Sequence, residues 1–141
     1  MKPLSTVWMG ALMLVMLAGA AAGQQKDAQG CKDHPLFTRM PGYWIHNCQE
    51  KQFEAVDFVV GPNRKTTRVE GQYWRIAFYP NNDLNPKPSE LQIQRNFQNA
   101  VQQQGGQVVW TEKGRDTYRL NKDGLEIWVQ VLAEFTGKYS L

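Results

Sequence analysis

This sequence is poor in the residues that most site chemistry needs. It holds 2 cysteines and 2 histidines in 141 residues. Two cysteines are too few for a disulfide-dense scaffold. They form no Cys-x-x-Cys, which excludes a thioredoxin-like redox pair. His34 and His46 sit in no His-Glu-x-x-His helix or comparable metal motif. After the leader the serines are Ser89 and Ser140 alone, and there is no Gly-x-Ser-x-Gly elbow for an acyl-transfer nucleophile. A net charge of +3 is too small to suggest a nucleic-acid partner. Gly105-Gly106 closes a predicted helix instead of opening one, so it is no phosphate-binding loop. Glu54 and Asp57 fall on opposite faces of a predicted strand and make no acid pair. The expectation is a protein without catalytic residues, cofactor or metal.

What the sequence does hold begins with its first residues. Lys2 precedes an apolar run over residues 7–18, and Ala20-Ala21-Ala22 follows. That order of charge, apolar core and small residues is a secretory signal. The competing reading is a membrane anchor, but the run is short against the ~20 residues of a bilayer span. Cys31 lies beyond the polar stretch 24–30, too far downstream for a lipoprotein acylation site. The expected organisation is a signal peptide over 1–22, a flexible segment over 23–30 and a module over 31–141. No later segment is apolar enough to span a membrane as a helix.

In an exported chain the cysteine pair reads as a Cys31–Cys48 disulfide. Such a bridge would stabilise the fold by ~3 kcal/mol on the chain-entropy account. A zinc site using Cys31, His34, His46 and Cys48 has suitable ligand types but no zinc-finger spacing.

Pattern divides the rest. Residues 33–42 are irregular and end in Pro41-Gly42. Strands are predicted over 43–47 and 53–60, with a turn over 61–65 and a bent strand over 66–69 and 72–79. Three prolines make 80–88 a loop. Ser89 is a helix N-cap, and Ile93, Phe97, Ala100 and Val101 form one apolar stripe before Gly105-Gly106. Strands follow over 107–111, 116–120 and 125–132, and 139–141 begins another. The fold class is therefore α+β, a mainly antiparallel sheet with one principal helix on one face. Arg64, Lys65 and Arg68 form a basic turn, read as a solvated hairpin end or, more sharply, as a contact to an anionic envelope surface. Tyr73, Trp110, Tyr118 and Trp128 are candidate exposed aromatics.

Two stretches carry a resemblance: Gly30-Cys31-Lys32-Asp33-His34-Pro35-Leu36-Phe37-Thr38-Arg39-Met40-Pro41-Gly42-Tyr43, and Leu91-Gln92-Ile93-Gln94-Arg95-Asn96-Phe97 followed by Gly105-Gly106. With Val69-Glu70-Gly71, they resemble the N-terminal, uncharacterised module of bacterial OmpA-family envelope proteins. The resemblance implies Gram-negative export, to the periplasm or the periplasmic side of the outer membrane. It implies a non-enzymatic scaffold or accessory binding module with an envelope protein or a glycan as partner. In that family an OmpA-like domain follows and binds peptidoglycan. That domain is absent here, so peptidoglycan binding is expected only through it, and 31–141 reads as the front of a longer protein. Arg39, Tyr43, Arg95 and Trp128 are the candidate ligand or partner contacts. The alternative is a small periplasmic ligand-binding or enzymatic domain, with a groove between the helix and loop 80–88 lined by Arg95.

Overall fold

One strand, β1 (Tyr43–Gly61), runs where the sequence pattern suggested two. The computed structural model describes residues 24–141, and the leader expected over 1–22 lies outside them. The polar run from Asn47 to Gln52 looks like a loop in sequence because it lacks alternation. It lacks alternation because these six residues are exposed, so no face selects apolar side chains. The register with the next strand shifts between Ile45 and Asn47 and again between Lys51 and Glu54. Such bulges accommodate extra residues without ending a strand. A turn over Pro62–Arg64 leads into β2 (Lys65–Pro80), which is also unbroken. Gly71 pairs with Glu54 beside the second bulge, so the expected bend lies within a continuous strand.

The helix α1 (Glu90–Gln103) begins at Ser89 as expected. The Ser89 hydroxyl accepts from the Gln92 amide at 3.2 Å, and the Gln92 side chain accepts from the Ser89 amide at 2.8 Å. This reciprocal cap satisfies two backbone donors that a helix start otherwise leaves unpaired. The helix ends where Gly106 N donates to Val101 O at 2.9 Å. A Cβ on Gly106 would lie 2.5 Å from Val101 Cγ1 and 3.0 Å from Leu120 Cβ, so only glycine allows this approach.

Three strands follow as a meander: β3 (Gln107–Glu112), β4 (Arg115–Lys122) and β5 (Leu125–Ala133). The two-residue strand β6 (Tyr139–Ser140) then enters the middle of the sheet. The order is β1-β2-β6-β5-β4-β3, and every pairing is antiparallel. Tyr139 lies opposite Phe78 on one side and Ala133 on the other. Leu141 extends the join by exchanging both backbone hydrogen bonds with Ile76. The architecture is α+β: a six-stranded antiparallel sheet with one helix.

Ile93, Phe97 and Val101 of α1 share a single core with Ile45, Ile76, Phe78, Tyr118, Leu120, Val131 and Tyr139. Each large apolar side chain so buried contributes roughly 1.5–3 kcal/mol of transfer free energy. Tyr118, expected among the exposed aromatics, is fully buried here. It faces inward because its neighbours in alternation, Asp116 and Leu120, do.

Past the core, β1 and β2 continue as a two-stranded ribbon. Its tip does not project freely. Phe58 and Val59 are buried, and the Phe58 ring lies 5.7 Å from that of Trp128 on β5. Cα atoms of β1 also come within 8 Å of β3 and β4. The ribbon therefore curls back toward the far side of the sheet.

Candidate functional site

The Cys31–Cys48 bridge is present, with Cα atoms 5.7 Å apart. It ties the irregular N-terminal segment to β1. That segment is held by polar contacts as well. Ala28 N donates to Ile45 O, and Ile45 N donates to Asp27 Oδ1, both at 2.8 Å. The stretch expected to be flexible is thus anchored at residues 27 and 28.

Two of the four expected contact residues are engaged by other parts of the chain. Arg39 forks onto Asp27 at 2.6 and 2.8 Å and onto Asp33 at 3.0 Å. The Asp27 carboxyl is held below its ordinary range chiefly by the Arg39 hydrogen bond. Tyr43 is buried and donates its hydroxyl to Gly137 O at 2.6 Å. Burial pushes that hydroxyl up to about 12, so it stays a donor at neutral pH. Arg95 is exposed on α1 and donates to Gln98 Oε1 at 2.5 Å. Trp128 packs on Phe58 and donates from Nε1 to Glu126 at 2.7 Å. The four do not converge: Arg95 lines one concavity, and the other three line neither of the two described next.

The first concavity, about 450 Å³, lies between the first half of α1 and the β3–β4 turn, and its lining begins at Ser89, just past loop 80–88. Arg95, Gln94, Gln98 and Thr111 line it. Behind them sits Asp116, a fully buried carboxylate that sequence reasoning did not single out. It accepts from Gln94 Nε2 at 2.7 Å, Gln98 Nε2 at 3.0 Å, the Tyr118 hydroxyl at 2.6 Å and the Thr111 hydroxyl. These donors are all neutral. Four of them replace the water a buried carboxylate loses. Burial, and next the Asp116 carboxylate, raise the Tyr118 hydroxyl and keep it protonated. The visible signal was Gln94 and Gln98, one helical turn apart on α1 and opposite the strand bearing Asp116. The unusual glutamine content of the helix masked it.

The second concavity is a cleft of about 540 Å³ where β6 joins the sheet. Its strand residues, Arg75, Ala77 and Tyr79, alternate with the core residues Ile76 and Phe78. Ala77 pairs with Asn47 on one side and Ser140 on the other. Arg75 pairs with Gln49. Across from them the 134–138 turn contributes Glu134 and Lys138. This turn is rigidly held: Glu134 N donates to Lys138 O, Gly137 N donates to Glu134 O, and Gly137 O accepts from Tyr43. Gly137 takes φ +82, a conformation that favours glycine.

Both faces of the Tyr79 ring are engaged. His46 stacks on it at 4.0 Å, and Lys138 Nζ lies 4.4 Å from its centroid. His34 packs edge-on against Trp74 at 4.8 Å, and its Nδ1 accepts from Leu36 N at 3.2 Å. Burial holds the His34 ring below its ordinary value. Among the described residues no group of three His, Cys, Asp or Glu side chains is arranged to hold a metal ion, and no helix is long and apolar enough to cross a membrane. No family model, curated protein or solved structure matches this chain.

Proposed function

We propose that this chain is a non-enzymatic cell-envelope module, related to the N-terminal module of OmpA-family proteins, that acts as a scaffold or accessory binding domain. It works after export, in the periplasm or at the periplasmic side of the outer membrane. The observation that carries the reading is the cleft at β6. Its polar groups come from β1, β2, β6 and the hydrogen-bonded 134–138 turn. Preorganised donors and acceptors of this kind suit non-covalent recognition. The disulfide suits an oxidising compartment. Both thiols are consumed in the bridge, and both histidine rings are occupied by packing. In this reading the helix covers one face of the sheet and the alternate side chains are left for contacts.

The test is co-sedimentation of the exported protein with purified cell wall and with envelope proteins, beside fractionation of the producing cells. Retention in the envelope fraction, and loss of it on substituting cleft residues, is the expected result. A protein recovered in the cytoplasm with free thiols would overturn the reading.

A second reading, a small ligand-binding or enzymatic domain, is favoured by one observation. Gln94 and Thr111 line the helix-side concavity and also bond the buried Asp116 carboxylate. A ligand there would contact the Asp116 network through a single layer of side chains.

A further inference from the structure

The cleft at β6 has a charge pattern that narrows its ligand. Two cations line it, Arg75 and Lys138. Among the described residues neither forms an ion pair, although Arg39, Lys51, Arg68, Lys113 and Arg115 each do. Lys138 rests on the Tyr79 ring, which positions its ammonium without neutralising it. The one carboxylate in the cleft is Glu134, held by the Thr136 hydroxyl at 3.1 Å. Asn47 and Gln49 supply amides, each with both a donor and an acceptor.

Three ligand classes fit this lining poorly. A flat apolar molecule finds a mainly polar wall. A neutral sugar ring stacks on an open aromatic face, and Tyr79 has His46 on one side and Lys138 on the other. A simple polyanion meets Glu134. What matches two cations, one anion and two amides is a molecule with a carboxylate, a peptide group and an ammonium.

We infer that the cleft formed by Asn47, Gln49, Arg75, Glu134 and Lys138 binds a short zwitterionic peptide. The peptide carboxylate lies against Arg75 and Lys138. Its ammonium faces Glu134, and its amide bond meets Asn47 and Gln49. Arg75 suits the first role because a guanidinium presents a planar fork of donors to a carboxylate. The inference deepens the binding-module reading and rests on the same cleft.

The experiment is a calorimetric titration of the disulfide-bonded protein with glycyl-alanine, with its C-terminal amide and with its N-acetyl form. Glycyl-alanine should bind saturably, and amidation should weaken binding by about tenfold, since it removes a charge-assisted contact. Arg75→Gln should weaken the free acid by a similar factor and leave the amide unchanged. Glu134→Gln should abolish the preference for the free amine over the N-acetyl form. Circular dichroism confirms that both variants fold. If acid and amide bind alike, if Arg75→Gln weakens both equally, or if glycyl-alanine does not bind, the inference is wrong. Cell-wall retention that persists in that case leaves the binding-module reading standing without this ligand.

Discussion

Arg39 grips Asp27 through both terminal nitrogens, Nη1 to Oδ1 at 2.6 Å and Nη2 to Oδ2 at 2.8 Å. The same Asp27 oxygen that meets Nη1 accepts the Ile45 amide. One carboxylate thus joins the N-terminal segment to the outer edge of β1. Its acidity is increased in the fold, from an ordinary 3.8, chiefly by Arg39. A carboxylate with a depressed folded value stabilises above its unfolded value, and that stabilisation is lost as pH falls through the folded value. The segment should therefore detach in acid, seen as lost amide protection at Ile45, relative to its intrinsic exchange rate, below about pH 4. Asp27→Asn should show the same loss of protection at neutral pH. Equal protection in both proteins at neutral pH would refute the clamp.

The buried Asp116 carries a larger consequence. Removing its carboxylate leaves Gln94, Gln98, Thr111 and Tyr118 without their shared acceptor. Asp116→Ala should cost about 3 kcal/mol in urea unfolding, the scale of a broken buried polar network. Asp116→Asn keeps the shape but turns one acceptor into a donor facing other donors, so it should also destabilise. A variant as stable as the parent would show that the network contributes nothing net.

The disulfide should matter to stability more than to shape. Cys31→Ser with Cys48→Ser should lower unfolding free energy by about 3 kcal/mol on the chain-entropy account. The segment retains its Arg39 contacts and the Ala28–Ile45 bond, so the folded spectrum should change little. Ellman's reagent on the denatured, non-reduced parent should find no thiol.

His34 gives a second pH dependence. Burial favours the neutral ring, whose ordinary value is 6.5. Below that value the unfolded chain takes up a proton that the folded chain resists. Stability should thus fall as pH drops from 6.5 toward the lower folded value. Protonation also removes the Nδ1 acceptor that Leu36 N uses. Thermal melts between about pH 8 and about pH 5 should show the decline, and His34→Phe should flatten it. An unchanged slope in that variant would assign the dependence to another group.

The local features were legible in the sequence. Ser89, the Ile93–Phe97–Val101 stripe and Gly106 mark the helix because capping and amphipathic spacing act over a few residues. The cysteine pair was legible from its even number. The length of β1 was not, because its exposed stretch 47–52 shows no alternation. Nor was the Asp116 site, whose donors come from α1, β3 and β4 and meet only after the helix packs. For Arg39 and Tyr43 the obstacle is distance along the chain. Their partners, Asp27 and Gly137, lie 12 and 94 residues away.

The place of β6 sets an order of events. The β1–β2 hairpin and the β3–β4–β5 meander share no strand pairing except through Tyr139 and Ser140. A chain emerging from its N-terminus can close each half early, since both depend on neighbours near in sequence. Strand pairing between the halves cannot form until residues 139–140 arrive, when the Tyr139 hydroxyl also accepts from Met40 N, 99 residues back. Until then the core side of each half is open to water. That join closes the sheet from its middle, and the interval before it is when the open halves are most prone to pair with other copies of the chain.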